Sequence, residues 1–233
     1  MRSKIKILGL AIFCWQISFS QIGKTEATST TRYPNFSIDY LKTETSTSLY
    51  VPKYDRVDGS PYLSPEWAYA RIKLGDSRIF DSVLLKLDLY ENRVLFKDAN
   101  GNEKMIPVNV RMIEIRDESS KWNNAVFVSG YGKDDREFYQ VVADGKKAGL
   151  IKKMKVFIKE TRDINGIERR NFELQNVLCI YSKDTLYEEK KNCLAMVDPF
   201  RNDNKIAAFI SANDIKCNKE KEMAKLVDYY NSY

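Results

Sequence analysis

The chain has 233 residues, carries 38 Lys and Arg against 32 Asp and Glu for a formal net charge of +6, and contains no histidine. The missing histidine excludes the Ser-His-Asp and Cys-His arrangements of nucleophilic catalysis and removes the commonest ligand of catalytic zinc. Arg2, Lys4 and Lys6 supply half of the net charge. The rest of the chain lacks the concentrated positive charge typical of nucleic-acid binding, so we expect no nucleic-acid partner.

The first 20 residues have the three parts of a secretory signal peptide. A positively charged start is followed by an apolar run from Ile5 to Ile17, and Ser18 and Ser20 place small residues before a cut at Gln21. The apolar run is shorter than the roughly 20 residues that a bilayer-spanning helix needs. We therefore predict a cleaved signal peptide over residues 1–20. The mature protein is expected to be periplasmic or secreted and to have no transmembrane span.

Three cysteines remain after the predicted cut: Cys179, Cys193 and Cys217. An oxidising compartment favours disulfides, but an odd number allows at most one internal bridge. Cys193 and Cys217 both fall in the C-terminal helical segment, where neighbouring helices can bring their Cα atoms within about 6 Å. This pair is the candidate disulfide, and Cys179, in an apolar strand-like run, is predicted to be a small core residue. Three buried thiols are the alternative.

The composition changes near residue 50. Residues 21–49 are rich in Thr and Ser and bury too little apolar surface to fold alone, which predicts a flexible leader. Residues 50–190 contain short apolar alternations such as Leu85-Lys86-Leu87-Asp88-Leu89, in which the leucines share one face of a half-buried strand. We interpret this second region as an antiparallel β domain.

Three turn pairs predict hairpins in the β region: Asn100-Gly101, Asp144-Gly145 and Asn165-Gly166. Asn-Gly and Asp-Gly tolerate the positive φ angles of a tight turn, and apolar runs flank all three pairs. The first pair is expected to join a strand near Phe96 to a strand over residues 105–110. The predicted fold is mainly β (α+β), an antiparallel meander with either open edges or a curled, barrel-like closure.

The hydrophobic period changes from two to about 3.6 after Tyr187. Residues 191–233 are predicted to form two or three short helices that pack on the β domain, because such helices are unstable alone in water. Asn202 or Asp203 is expected to cap the first of them and Asn218 the second. Two apolar stripes at helical spacing support the helices: Ile206-Phe209-Ile210 and Met223-Leu226-Val227-Tyr230.

We predict no catalytic residue, no metal ligand and no cofactor. The loop Asp98–Glu103 offers oxygen ligands in a calcium-loop order, but Glu103 replaces the required Gly and Asn109 replaces the bidentate Glu, so a hairpin turn is the better interpretation.

Adjacent residues on a strand point to opposite faces and cannot flank a scissile bond, although carboxylates from different strands can. This excludes three acidic pairs as self-contained sites: Asp117-Glu118, Asp134-Asp135 and Glu188-Glu189.

The densest basic stretch is a candidate basic surface. Its members are Lys146, Lys147, Lys152, Lys153 and Lys155. They could form a sheet face that meets anionic lipid or polysaccharide. They could instead lie on an edge or outward strand face, where lysines prevent strand pairing between molecules, and this second interpretation is favoured.

Four short stretches, taken together, resemble a known group of proteins. They are Asp58-Gly59-Ser60-Pro61-Tyr62-Leu63, the strand set through Leu95-Phe96-Lys97, Phe138-Tyr139-Gln140-Val141 with Lys152-Lys153, and Leu226-Val227-Asp228-Tyr229-Tyr230-Asn231. In this combination the chain resembles a broad group of uncharacterised secreted proteins common in Bacteroidota. Members run from a signal peptide through a Gly-Ser-Pro-Tyr segment and a β-meander to a helical tail ending in Tyr-Tyr-Asn. The resemblance implies an envelope or secreted location and implies no activity.

Two functions remain open from the sequence. The first is a non-enzymatic envelope or secreted module that binds a protein partner or a glycan through its sheet. The signal peptide, the absence of histidine and the 14 tyrosines, whose rings carry large contact area, favour it. The alternative is a histidine-free hydrolase that acts on an extracellular glycan with carboxylates from different strands.

Overall fold

The computed structural model describes residues 54, 56–131, 136–162, 164–188, 192–195 and 198–233. The predicted signal peptide and leader lie outside the described residues. Within them, ten β strands form one antiparallel sheet, and two longer helices follow near the C terminus. The prediction of a mainly β, antiparallel fold with short C-terminal helices is therefore confirmed.

The strands do not form one continuous meander. Their order across the sheet is β10-β9-β8-β7-β6-β5-β1-β2-β3-β4, with every neighbouring pair antiparallel. Because β5 returns to pair with β1, two meanders meet at the centre of the sheet. The strands are β1 (Ala68–Leu74), β2 (Ile79–Asp88), β3 (Arg93–Lys97), β4 (Glu103–Met105), β5 (Val110–Ile115), β6 (Val126–Ser129), β7 (Phe138–Ala143), β8 (Gly149–Arg162), β9 (Glu168–Ser182) and β10 (Thr185–Glu188).

All three predicted turn pairs lie between paired strands. Asn100-Gly101 joins β3 to β4, Asp144-Gly145 lies between β7 and β8, and Asn165-Gly166 joins β8 to β9. Gly101 and Gly166 have φ angles of 80° and 79°, which explains the need for glycine there. The first hairpin is shorter than predicted: the Ile106 amide still donates to the Val94 carbonyl oxygen (2.9 Å), after which the chain leaves β3 and enters β5, which pairs with β1.

The sheet curls strongly but does not close. β2 and β9 lie six positions apart in the strand order, or roughly 30 Å in a flat sheet with 4.8 Å spacing. Nevertheless, the rings of Tyr90, just after β2, and Phe172, on β9, have centroids only 5.5 Å apart. The short strands β4 and β10 remain as separate edges, each paired on one side. The barrel-like closure offered as an alternative is therefore wrong.

A segment before β1 spans the opening between β9 and β2. Two backbone hydrogen bonds of 2.8 and 2.9 Å join Asp58 to β9, and two of 2.9 Å join Pro61 and Leu63 to the end of β2. These contacts are isolated bridges and not a continuous strand ladder. We call residues 58–63 the seam segment, because they bring the two distant parts of the curled sheet together.

A buried carboxylate holds the region around the seam segment. Asp88, at the end of β2, is fully buried, and its Oδ1 accepts hydrogen bonds of 2.9 Å from the amides of Tyr90 and Glu91. Its Oδ2 accepts a hydrogen bond of 2.7 Å from the hydroxyl of Tyr54. The rings of Tyr54, Tyr90 and Phe172 pack edge to face, with centroids 5.3–5.6 Å apart. Such buried polar groups are tolerated only when they are hydrogen-bonded, as Asp88 is.

The core has two main parts. Side chains on the inner side of the curled sheet form the larger cluster, which includes Ile72, Leu74, Val83, Leu85, Phe96 and Ile113. A second cluster lies between the helices and strands β8 and β9 and includes Leu150, Ile180, Phe200, Ile206, Met223, Leu226 and Val227. The helices are α1 (Asp198–Arg201), α2 (Asn204–Asn213) and α3 (Glu220–Asn231), preceded by a 3-10 turn over Cys193–Ala195. The apolar stripe of the last helix is therefore part of the hydrophobic core.

Of the two predicted helix caps, the structure confirms one. Asp203 caps α2, because its side chain accepts hydrogen bonds from the amides of Lys205 and Ile206. The prediction that Asn218 caps the last helix is wrong, since the N-cap of α3 is Lys219, which makes no side-chain cap hydrogen bond. Glu220 and Glu222 lie in the first turn of α3. Their negative charges interact favourably with the positive N-terminal end of the helix dipole, and this interaction takes the place of the missing cap.

A disulfide fastens the start of the helical region. It joins Cys193, in the 3-10 turn, to Cys217, just before α3, with the Cα atoms 5.3 Å apart. This is the pair that the sequence favours. Cys179 is buried in β9 and takes no part in this disulfide. The bridge closes a loop around α1 and α2 and restricts the unfolded chain, which stabilises the folded helical region.

The side chain of Asn231 anchors the C terminus to the β7–β8 turn. Its Oδ1 accepts hydrogen bonds from the amides of Lys147 (2.8 Å) and Ala148 (3.2 Å), and its Nδ2 donates to the Ala148 carbonyl oxygen (2.8 Å). The Lys147 ammonium lies 5.3 Å from the ring centroid of Tyr230 and 4.3 Å from that of Tyr233. These contacts give the closing Tyr-Tyr-Asn stretch a structural role.

Replacing Leu226 should destabilise the whole domain. Leu226 is fully buried between α3 and the sheet, and a Leu→Ala change at such a site costs about 2–5 kcal/mol. We expect Leu226→Ala to lower the free energy of unfolding by that amount in urea denaturation. The matched control is Lys225→Ala on the exposed side of α3, which should change the free energy by less than about 0.5 kcal/mol. Equal stability of the two variants would contradict packing of α3 against the sheet.

Candidate binding face on the outer side of β1 to β4

One side of strands β1 to β4 faces away from the core. In β2, Leu85 and Leu87 are buried in the inner cluster, so Lys86 between them projects to the outer side. In β1, Tyr69 projects the same way between two buried alanines and is 51% exposed. In the strand register, Lys86 on β2 lies opposite Leu95 on β3. Two residues further along β3, Lys97 lies opposite Glu103 on β4. The strands therefore align aromatic and basic side chains on one surface.

The two lysines of this surface lie against aromatic rings. The Lys86 ammonium is 4.8 Å from the ring centroid of Tyr62 and 4.9 Å from that of Trp67. The Lys97 ammonium is 4.8 Å from the same Trp67 ring. Distances below 6 Å are typical of cation–π contacts. We call Tyr62, Trp67, Tyr69, Lys86 and Lys97 the aromatic–lysine face.

The seam segment fixes one corner of the aromatic–lysine face. Tyr62 belongs to that segment and forms an isolated bridge with Asp88. Its amide also donates a hydrogen bond to the hydroxyl oxygen of Ser60 (3.2 Å). Trp67 directly precedes β1, so the pairing of β1 with β2 sets its position beside Lys86. Three of the five residues of the face, Tyr69, Lys86 and Lys97, thus lie on paired strands, and Tyr62 and Trp67 lie in the segment that leads into β1.

Burial shifts the pKa values of two residues of the face, Lys86 and Tyr62. Burial lowers the pKa of Lys86, while the negative charges of Glu103 and Glu66 oppose this change and the charge of Lys97 adds to it. Burial, followed by the charge of Asp88, raises the pKa of Tyr62 to about 12. Tyr62 therefore keeps its phenolic proton at neutral pH. The face presents cationic and neutral hydrogen-bond donors together with apolar rings.

Neither lysine of the face has a polar partner in the described part of the chain. Elsewhere half-buried lysines do: the ammonium of Lys104 is 3.1 Å from Asp98, and that of Lys153 is 3.0 Å from Glu137. Among the described residues, Lys86 and Lys97 form neither a salt bridge nor a hydrogen bond through their ammonium groups, which contact aromatic rings instead. Both cations are therefore available to an external acceptor.

A small cleft beside the face does not form a substrate pocket. It lies between residues 63–68 and the turn that carries Ser120 and Trp122, and its volume is about 10 Å³. That volume holds about one water molecule, whereas small-molecule sites occupy about 300–1,000 Å³. The Trp122 Nε1 atom is buried and has no hydrogen-bond acceptor among the described residues. Lys86 of the aromatic–lysine face also lines this cleft, which is too small to hold a ligand.

The five lysines of the candidate basic surface lie in different surroundings in the structure. β8 lies between β7 and β9, so the interpretation of this stretch as an edge is wrong where these strands pair. Lys152 forms a salt bridge with Glu220 of α3 (2.9 Å), while Lys153, on the opposite side of β8, bonds Glu137. Lys147 donates to the Tyr230 carbonyl oxygen (3.2 Å). Lys146 and Lys155 are exposed. The stretch therefore does not assemble into one basic face.

The acidic residues considered as candidate catalytic groups, where the structure describes them, either accept hydrogen bonds in a turn or are exposed. Asp117 Oδ1 accepts from the amide and hydroxyl of Ser119, and its Oδ2 accepts from the amide of Tyr69 (3.1 Å). Hydrogen bonding by Ser119 and Tyr69 lowers the pKa of Asp117. Glu118 and Glu188 are exposed, and Asp134, Asp135 and Glu189 lie outside the described residues. Across the described ranges, no group of three or more His, Cys, Asp or Glu side chains could hold a metal ion.

The sequence reasoning missed the aromatic–lysine face because its residues are dispersed between positions 62 and 97. One local signal was present. In Trp67-Ala68-Tyr69-Ala70 the aromatic residues alternate with small ones, which places both rings on the side opposite the alanines. The approach of Lys86 and Lys97 to these rings depends on strand pairing and has no local signal.

Comparison with protein-family models, curated proteins and solved structures gives no match to this chain. No helix within the described residues combines the length and the apolar character needed to cross a membrane.

Asp98 provides a test of the hairpin next to this face. Burial disfavours its charged form, but hydrogen bonds from the Asn102 amide, Lys104 and the Asn100 amide outweigh burial and lower its pKa to about 2. An unfolded Asp has a pKa of about 3.9. Ionised Asp98 therefore stabilises the fold above about pH 4, and this contribution disappears as the pH falls through 2.

We expect Asp98→Asn to lower the melting temperature at pH 7 and the difference from the parent protein to narrow between pH 4 and pH 2. Thermal unfolding followed by circular dichroism at a series of pH values measures this. Lys104→Met, which removes one of the partners, should show a smaller difference. A difference that stayed constant down to pH 2 would contradict the role of the Asp98 charge.

Proposed function

We propose that this chain is an exported, non-enzymatic module that binds an extracellular glycan through the aromatic–lysine face. The observation that carries the proposal is the exposed Tyr69 ring on the same side of the sheet as two lysine ammonium groups, neither of which has a polar partner among the described residues. Sugar rings have apolar C–H faces and a rim of hydroxyl acceptors. An aromatic ring offers apolar contact area at low entropic cost, and the neighbouring cations donate hydrogen bonds to oxygen atoms.

Export is the part of the proposal that rests on residues 1–20. The Cys193–Cys217 disulfide supports it, because disulfides form and persist mainly in oxidising compartments. The resemblance to secreted proteins of Bacteroidota points to the same location. A protein partner is the second candidate ligand, since aromatic residues are also enriched at protein interfaces.

A carboxylate-based hydrolase is the less favoured function. It needs two carboxyl groups about 5–9.5 Å apart on either side of a glycosidic bond. Three described carboxylates, Asp88, Asp98 and Asp117, accept hydrogen bonds from backbone amides of their own turns. Their oxygens are used by the fold, which favours the binding function over the hydrolase.

The export proposal has a direct test. When the complete chain is expressed in a Gram-negative host, we expect the protein outside the cytoplasm, with an N terminus at Gln21 because Ser18 and Ser20 precede a signal-peptidase cut. Fractionation and N-terminal sequencing measure both results. Cytosolic protein that begins at Met1 would refute export, and exported protein that begins at Met1 would refute cleavage.

The glycan proposal is tested on Tyr69. Loss of a central aromatic contact commonly weakens binding by about 1–2 kcal/mol, or roughly 5- to 30-fold in Kd. On a glycan array containing neutral and acidic polysaccharides, we expect the parent protein to bind and Tyr69→Ala to lose affinity by that factor. Phe157→Ala, which removes another exposed ring (37%) that lies on β8 and is not part of this face, should bind like the parent. Equal loss in both variants would contradict the assignment of the face.

A further inference from the structure

The charge of the ligand can be inferred from the two lysines of the aromatic–lysine face, an inference that rests on the proposed glycan-binding function. Lys86 lies opposite Leu95, so Lys97 is its diagonal neighbour across β2 and β3. Both ammonium nitrogens lie within 5 Å of one ring centroid, that of Trp67. Their separation is thus no larger than about one Debye length at 0.1 M salt, which is ~10 Å, so both can act on one bound charge.

The fold places a carboxylate opposite one of these lysines without pairing the two. Glu103 is the direct register partner of Lys97 on the neighbouring strand. In the part of the chain that the structure describes, however, no salt bridge joins Lys97 to Glu103 or Lys86 to Glu66. The charges of Glu66 and Glu103 still reach Lys86 and partly counter the effect of its burial. They do not replace a direct acceptor.

Rings hold the lysines in place and leave their N–H donors unused. An aromatic face attracts a cation but accepts no strong hydrogen bond, so each half-buried ammonium keeps donors that water or a ligand must satisfy. An oxyanion accepts such charge-assisted hydrogen bonds better than a neutral hydroxyl does. Trp67 and Tyr62 are positioning residues in this arrangement, because they fix the cations beside the exposed Tyr69 ring.

We propose that the ligand is an acidic glycan whose carboxylate or sulfate group binds between Lys86 and Lys97 while a sugar ring packs on Tyr69. The carboxylate and the sulfate share one chemistry, an anionic oxygen group on a saccharide. A glycan is favoured over an acidic peptide because an exposed ring lies on the same strand surface as the cations. An acidic peptide supplies charge without a sugar ring to pack there.

Two pairs of polymers test the inference with the mature protein. Dextran sulfate and dextran differ only in sulfate, and polygalacturonate and its methyl ester differ only in free carboxylate. We expect the acidic member of at least one pair to bind at least tenfold more tightly at 0.05 M salt, with a smaller preference at 0.5 M salt. The pair that shows the preference identifies sulfate or carboxylate. Polyglutamate is the peptide probe and should bind at least tenfold more weakly than the preferred glycan.

Two double variants assign the preference to the face. Lys86→Met with Lys97→Met removes both cations but keeps their apolar stems, and it should lose at least tenfold in affinity for the acidic polymer. Lys221→Met with Lys225→Met changes the net charge equally on the exposed side of α3 and should bind like the parent. Lys97→Arg keeps the charge and should retain binding within about threefold. Melting temperatures are measured for all variants, and only variants that fold are compared.

Each contrary result overturns a different statement. Equal binding of acidic and neutral polymers would overturn this inference and leave the proposed glycan binding intact. Equal binding of polyglutamate would overturn the choice of a glycan. Equal loss in the two double variants would show that overall charge, and not this face, attracts the polymer. Absence of binding to every glycan, neutral or acidic, would overturn the proposed function as well.

Discussion

The fold depends on the hydrogen bonds that satisfy the buried carboxylate of Asp88. The fully buried side chain accepts two amide hydrogen bonds from its own turn and one from the hydroxyl of Tyr54. A buried charge without such partners would cost several kcal/mol, so the turn after β2 and the approach of Tyr54 are coupled. Tyr54 in turn packs on Tyr90 and Phe172. Through these rings one carboxylate links the end of β2 to β9, which strand pairing leaves far apart.

The same region connects the core to the outer surface. The seam segment joins β9 through Asp58 and β2 through Pro61 and Leu63, and Tyr62 lies between these contacts with its ring beside Lys86. Backbone bridges that hold the curled sheet together therefore also position one wall of the aromatic–lysine face. The inner side of the curled sheet is filled by the larger apolar cluster, so the aromatic–lysine face lies on the outer side. This explains why the candidate site is an open face built on strands.

The sequence predicts the parts of this structure that depend on neighbouring residues. Alternation around Lys86, the three turn pairs and the apolar stripe of α3 all have local causes, and each is found in the structure. The position of β1 between β5 and β2, the curl and the seam segment depend on contacts between distant residues and leave no local pattern. The same limit applies to the site. The density of lysines from 146 to 155 suggested one basic surface, but strand alternation separates Lys152 from Lys153, whereas the lysines that share a ring come from two different strands.

Lysines contact aromatic rings in two regions with different consequences. At the C terminus, Lys147 lies over Tyr230 and Tyr233 and also donates a hydrogen bond to the Tyr230 carbonyl oxygen, so the cation contributes to holding α3 on the sheet. At the aromatic–lysine face, rings contact Lys86 and Lys97, but no described carbonyl or carboxylate oxygen accepts from them. A cation–π contact at a surface contributes only about 0.5–1 kcal/mol, which is small against the cost of partly burying an ammonium group. Because the fold gains so little from these two cations, an external anion such as the proposed acidic glycan would stabilise them with each direct hydrogen bond that it accepts.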